Sequence, residues 1–197
     1  MDIRGVKSVR MIKLLLEHPD GSLTRYGLAK SSETSQPYGV KMIQKLEAKE
    51  LVAGTRVLDM ERLARYGVEL LPHPVLVVEM YHAEPLEFLK RYSKKYALTT
   101  YFAENRLTHH LFPFRCDVYV TMPELEKLTA HIKKEGLLGA GNMRFMIPAD
   151  DRVIKESQNI RGVHVVSIGQ LMMDLVKEGG VCMEAFEMLV ERRVRKG

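Results

Sequence analysis

Val6, Val9, Ile12, Leu15 and Leu16 recur at helical spacing and predict an amphipathic helix over residues 3–17. His18-Pro19-Asp20-Gly21 ends it, and Leu23 to Lys30, carrying Leu28 and Ala29, forms a short second helix. Ser31 to Ser35 is a turn rich in capping residues. Pro37 suits the first turn of a third helix, with Ser35 or Gln36 as its cap and its end near Lys49. Leu51-Val52, then Gly54, then Arg56-Val57-Leu58 read as two short strands around a tight turn, and Asp59 can cap a helix over 60–66. Pro72 and Pro74 close the Gly67 to Pro74 stretch to both helix and central strand. This divides the chain into domains 1–70 and 71–197.

Beyond the break, strand-like and helix-like patterns alternate. Val75 to Met80 is an apolar strand, Glu84 to Tyr96 a helix, and 100–107 a further helical piece. Arg115 to Thr121 alternates as a strand, and Pro123 to Glu135 is a helix closed by Gly136. Met143 to Ile147 and Val163 to Val166 are short strands, Ser167 caps a helix to about Lys177, and Met183 to Arg193 is the last helix. Such alternation predicts a mixed or parallel sheet covered by helices, an α/β (α+β) second domain.

Two short helices joined by a tight turn, with a ribbon after the second, describe a winged helix-turn-helix. On the third helix Val40, Ile43 and Leu46 form the expected buried stripe, leaving Tyr38, Lys41, Met42 and Lys45 opposite. With Ser35 and Gln36 ahead of it, that face suits a major groove: Gln36 for a base edge, Met42 for a thymine methyl, the lysines for phosphates. Thr24 and Arg25 start the second helix at its phosphate-favouring end. Arg56, on the wing, is placed to enter a minor groove or grip the backbone. About six phosphate contacts would make binding fall steeply with salt. The bland alternative is a helical domain with a solvated charged face, Lys41, Lys45 and Lys49 alternating with Glu47 and Glu50, or a winged helix that binds protein.

Charge tilts the choice. The 197 residues carry a net charge of +5 and a pI of about 9.1, which favours acidic partners. Residues 1–70 hold 12 basic and 9 acidic side chains, against 18 and 16 in the remainder, so the smaller part is denser in positive charge. At 46% hydrophobic the chain is an ordinary globular one. It has no apolar run of membrane-spanning length and no apolar stretch after the charged opening residues to make a secretory signal. Cys116 and Cys182 form no framework and fit a reducing interior. These features lead to an expected cytoplasmic location.

Candidate chemistry in the second domain is sparse. His109-His110 with Cys116 and His131 has no recognised metal-ligand spacing. Nucleotidyl transfer needs a Gly-Ser turn followed by two carboxylates one residue apart on a strand. Gly21-Ser22 has no such pair after it, and the adjacent Asp150 and Asp151 would point to opposite faces of a strand. On the Ser167 helix, Ile168, Leu171, Met172 and Leu175 make a buried stripe, while Gln170 and Asp174 share the other face. They form either a hydrogen-bonded polar pair or a surface for a partner. Arg192, Arg193, Arg195 and Lys196 gather at the last helix's C-terminal end, where the macrodipole favours cations and nucleic acid is also in reach.

Several short segments together resemble the AbiEi-type antitoxins of type IV toxin–antitoxin systems. They are Val165-Val166-Ser167 with Gln170 and Met173-Asp174-Leu175, and Glu184-Ala185 to Leu189. Earlier come Tyr96-Ala97-Leu98-Thr99 with Ala103-Glu104, and Asp117-Val118-Tyr119-Val120. Leu51 to Gly67, with Arg56-Val57 and Glu61-Arg62-Leu63, resembles the wing and closing helix of related regulators. The sequence departs from the family at Gly179-Gly180-Val181-Cys182, where a Gly-Arg-Gly type turn is common. The resemblance implies a transcriptional regulator that represses its own operon. It also implies a second domain on a nucleotidyltransferase-like scaffold without catalytic carboxylates. Such a protein counteracts a nucleotidyltransferase-like toxin without having to bind it. The expectation is a non-enzymatic, cofactor-free reader of double-stranded operator DNA, with oligomerisation left open. The alternatives are a nucleotide-acting enzyme and a small-molecule sensor, each using the second domain.

Overall fold

The computed structural model describes residues 3–70 and 74–194. Helix α1 (Ile3–Glu17) is followed by α2 (Arg25–Ser31), α3 (Gln36–Glu47), a hairpin of β1 (Val52–Ala53) and β2 (Arg56–Val57), and α4 (Met60–Glu69). Then come β3 (Val75–Tyr81), α5 (Pro85–Tyr92), β4 (Tyr96–Thr99), α6 (Thr100–Leu107) and β5 (Cys116–Val120). They are followed by α7 (Met122–Glu135), β6 (Leu137–Leu138), β7 (Met143–Ile147), α8 (Arg152–Lys155), β8 (Gln158–Ile160) and β9 (Val163–Val165). Helices α9 (Ile168–Glu178) and α10 (Val181–Val194) complete the described chain. It is a mixed α/β protein, and no helix among the described residues is long and apolar enough to cross a membrane.

Two compact units emerge. Unit 1 joins Met1–Pro72 to Ile168–Gly197, and unit 2 is His73–Ser167. The first break falls beside the expected boundary at residue 70. The expected second domain, 71–197, does not hold together as one body, because α9 and α10 return to the N-terminal helices. The reason lies in the packing. α9 lies against α1 and α4, and Gly169 lets it approach so closely that a Cβ there would stand 2.3 Å from the Lys13 carbonyl oxygen. Leu71 to His73 of the expected linker, and Arg195 and Lys196 of the terminal cationic cluster, lie outside the described residues.

Within unit 1 the core is made by Ile12, Leu15 and Leu16 of α1, Leu28 of α2, Ile43 and Leu46 of α3, Leu63 of α4, and Leu171, Met172 and Leu175 of α9. Side-chain caps start three of its helices. Thr24 Oγ1 accepts from the Gly27 amide, Ser35 Oγ from Tyr38, and Asp59 from Arg62. The loop before α2 joins the hairpin: Asp20 bridges Arg56, and the Val57 amide donates to the Pro19 carbonyl. Gly21, at φ +83°, makes that approach possible, since even a Cβ built there would lie 3.2 Å from the Arg56 Cβ.

Unit 2 is a seven-stranded sheet in the order β6-β3-β7-β5-β4-β9-β8. Two parallel pairs, β7–β5 and β9–β4, stand among four antiparallel ones, so the sheet is mixed. The predicted helix over 84–96 ends at Tyr92, and Tyr96 instead opens β4, an internal strand buried along its whole length. β6, α8 and β8 were not predicted. β5 is buried at all five positions although its sequence alternates, because Asp117 is taken inside with partners of its own.

Candidate nucleic-acid interface

The α2–turn–α3 segment is tied together locally. Ser32 is buried and donates to the Leu28 carbonyl at 2.7 Å, the Thr34 amide returns to the Ala29 carbonyl at 2.9 Å, and Glu33 takes a left-handed φ of +54°. Gly39 brings α3 against α2, since a Cβ there would meet that of Ala29 at 3.1 Å.

This contact sets the rotation of α3 and corrects the expected face. Gly39, Met42, Ile43 and Leu46 are buried, while Val40 is 37% exposed. Met42, at 5% exposure, is a core residue and cannot meet a thymine methyl. Tyr38 is half-buried with its hydroxyl 2.7 Å from Ser8 Oγ, so it serves mainly to fasten α3 to α1. The exposed ridge is Gln36, Val40, Lys41, Gln44 and Lys45. Val40 is the exposed aliphatic side chain of α3 in place of Met42, and Gln44 is an exposed amide that the three-residue spacing did not reveal.

The cations on and beside this ridge are positioned differently from one another. Lys45 and Lys49 place their ammonium groups 5.7 Å and 5.2 Å from the Tyr66 ring centroid, which fixes α4 beside α3. The Tyr66 phenol holds Lys45 above its ordinary pKa. Lys41 is exposed. Arg25, also exposed, lies 3.6 Å from Glu47, whose Oε1 also accepts the Gly54 amide at 2.9 Å. Glu47 thereby links α2, α3 and the hairpin turn, and it offsets part of the Arg25 charge. Thr24 and Ser35 are exposed caps whose oxygens are engaged by their own helices. Arg56 is exposed on the hairpin. The structure thus brings Lys41 and Lys45 onto one side of α3, with Gln36 exposed at its first turn, and leaves Thr24, Arg25 and Arg56 on neighbouring elements.

The expected partner surface on α9 is corrected. Gln170 Nε2 donates to Asp174 Oδ1 at 2.9 Å, Gln170 is only half-exposed and Asp174 is buried, so the pair is part of the packing of unit 1.

Unit 2 carries a polar cluster that sequence reasoning missed. Asp117 is fully buried and receives Arg115 through Nε at 3.0 Å and Nη2 at 3.0 Å, Arg144 through Nε at 2.6 Å, and a short hydrogen bond from Thr100 Oγ1. Thr100 starts α6 with a left-handed φ of +47°. The neighbouring Cys116 thiol is pushed well above its ordinary pKa by burial and, secondarily, by the Asp117 charge. The Arg115-x-Asp117 alternation was the available signal, because Asp117 and Arg144 are register partners across β5 and β7. Asp117 has no second carboxylate two residues along its strand, where Tyr119 stands. His131 stacks on Tyr92 at 3.9 Å, and no group of three His, Cys, Asp or Glu among the described residues could hold a metal ion.

No protein-family model, curated protein or solved structure matches the chain.

Proposed function

We propose that unit 1 contains a winged helix-turn-helix that binds duplex DNA, and that the chain is a transcriptional regulator of the AbiEi antitoxin type acting on its own operon. The observation that carries this reading is the α3 ridge: Val40, Lys41, Gln44 and Lys45 exposed along the helix, Gln36 exposed at its first turn, and a hairpin that presents Arg56. Amides read base edges, an aliphatic tip meets a thymine methyl, and cations neutralise phosphates. The order α1, α2, α3, hairpin, with an isolated bridge from Asp20 to Arg56 of β2, supports the winged form. The fold of unit 2 is read as a nucleotidyltransferase-like scaffold without its carboxylate pair, and opposition to a toxin as indirect.

The test is a gel-shift titration on the DNA upstream of its own reading frame. Lys41→Ala with Lys45→Ala should weaken binding to all duplexes at least tenfold and make the salt slope shallower by about 2. Gln44→Ala should instead relax discrimination between sequences. Binding unchanged in the double lysine variant refutes the assignment of this face. A second reading, regulation by a small ligand, is favoured by a groove of about 840 Å³ within unit 1. Leu58, Met60, Phe186 and Val190 line it alongside Arg56 of the hairpin. A ligand there would be detected as a change in operator affinity that Phe186→Ala abolishes.

A further inference from the structure

We propose that unit 2 carries a separate binding surface for single-stranded nucleic acid, formed by the loop between α6 and β5. Phe112 is 79% exposed and Phe114 is 53% exposed, with Pro113 between them and the Phe114 amide closing a tight turn onto the Phe112 carbonyl at 2.9 Å. Two phenylalanines this exposed on one short loop are a contact surface in search of flat, apolar partners.

Their surroundings choose the partner. The Arg115 guanidinium lies 4.9 Å from the Tyr101 ring centroid and 5.8 Å from that of Phe114, and the Tyr101 and Phe114 rings are 4.3 Å apart. Arg144 shares the same buried Asp117 anchor. On the other side of the loop, Arg161 Nη1 is 2.7 Å from His109 Nε2. Both of those residues hold left-handed backbones, at φ +52° and +62°. The carboxylates in contact with this region, Asp117 and Glu104, are fully buried, and Glu104 Oε2 accepts the Leu111 amide at 2.7 Å. Among its described residues the loop shows water Phe112, Phe114 and two histidines, with the exposed Arg161 beside His109. Protein hot spots are also aromatic, but of the charged side chains described around these rings the one most open to water is a cation, Arg161, with the edge of the Asp117-paired Arg115 beside Phe114.

Exposed rings with guanidinium groups close by fit unpaired bases stacked on aromatic faces, with phosphates beside them. A duplex keeps its base faces covered, so this surface selects single strands, in contrast to the α3 ridge. Anchoring by Asp117 fixes the loop's C-terminal end before a strand arrives, which limits the entropy lost on binding.

The experiment is fluorescence anisotropy of the full chain with labelled 12-nucleotide oligo(dT) and oligo(U) at low salt, together with a duplex. Binding of either single strand supports the proposal, and a preference between them identifies the sugar. Phe112→Ala should weaken single-strand binding about tenfold, and Phe112→Ala with Phe114→Ala should weaken it further, with the duplex titration unchanged. Arg161→Ala should lower the salt slope by about 1. Because Phe114 touches Tyr101, the single Phe112 variant is the decisive one if the double variant fails to fold. The proposal is overturned if neither oligomer binds, or if single-strand binding is lost in Lys41→Ala with Lys45→Ala and kept in Phe112→Ala. It is also overturned if Phe112→Ala leaves strand affinity intact but dissociates an oligomer seen by light scattering.

Discussion

Gly169→Ala places a methyl group 2.3 Å from the carbonyl oxygen of Lys13 and 2.8 Å from its carbon, where no rotamer change can clear it. A normal contact of about 3.4 Å requires α9 to move off α1 by about 1 Å, and a gap of that size forfeits a quarter to a half of each dispersion contact across the interface. Overpacking of this kind costs about 1–3 kcal/mol, occasionally more, and the alanine returns about 1 kcal/mol of helix propensity. With main chain as the obstacle, a net loss of about 2 kcal/mol is expected. Gly67→Ala is the matched control. Its Cβ would lie 3.1 Å from Ile12 Cγ2 and from the flexible end of Met173, which can turn aside, so its net change should be near zero. Two units need not unfold together, so the measurement is hydrogen exchange of α1 and α9 peptides as a function of urea, with unit 2 peptides as the internal reference. Equal protection in the two variants would refute the close α1–α9 contact, and with it the return of the C-terminal helices to unit 1.

Met42→Ala should destabilise unit 1 by about 2–4 kcal/mol in the same assay, while Val40→Ala should leave stability within about 0.5 kcal/mol and lower operator affinity. Asp117→Asn removes the charge that holds Arg115 and Arg144. It should cost unit 2 about 2–4 kcal/mol, whereas Glu87→Gln at an exposed pair should leave unit 2 exchange essentially unchanged. Burial raises the folded-state pKa of Cys116, so the stability it contributes is fully present below the ordinary thiol value of 9.0 and is lost as pH climbs above it. Cys116→Ala should flatten stability between about pH 9 and 10, and in the native protein the thiol should resist a disulfide reagent at pH 8.

The strongly periodic elements were legible in the sequence. α1 follows its apolar spacing, α7 its proline start and glycine end, and α4 its Asp59 cap, although α4 runs on through Gly67 to Glu69 where a stop at residue 66 is expected. The proline break stands at the first boundary between units. The phase of α3 was not legible, because a glycine sets it. Gly39 carries no hydrophobic signal, yet its contact with Ala29 turns Met42 inward and Val40 outward. β4 was missed because Ser93, Lys94 and Lys95 interrupt the helix without proline or glycine, so the pattern reads on through Tyr96. Asp174 and Asp117 were read as surface residues or passed over because a lone acid is usually solvated, and only tertiary partners make burial tolerable. The Phe112–Arg115 loop escaped notice because exposed aromatic residues look like core in a linear pattern.

Unit 1 is discontinuous in sequence, and this has a consequence for its biogenesis. Its N-terminal helices leave the ribosome first but cannot bury their faces against α9 until nearly the whole chain has been made. A nascent chain therefore holds its α3 ridge on an incomplete scaffold while His73–Ser167 is still being translated. Premature termination within that insert would yield fragments lacking the brace at Gly169, with the α1 and α4 faces that α9 covers left open to water.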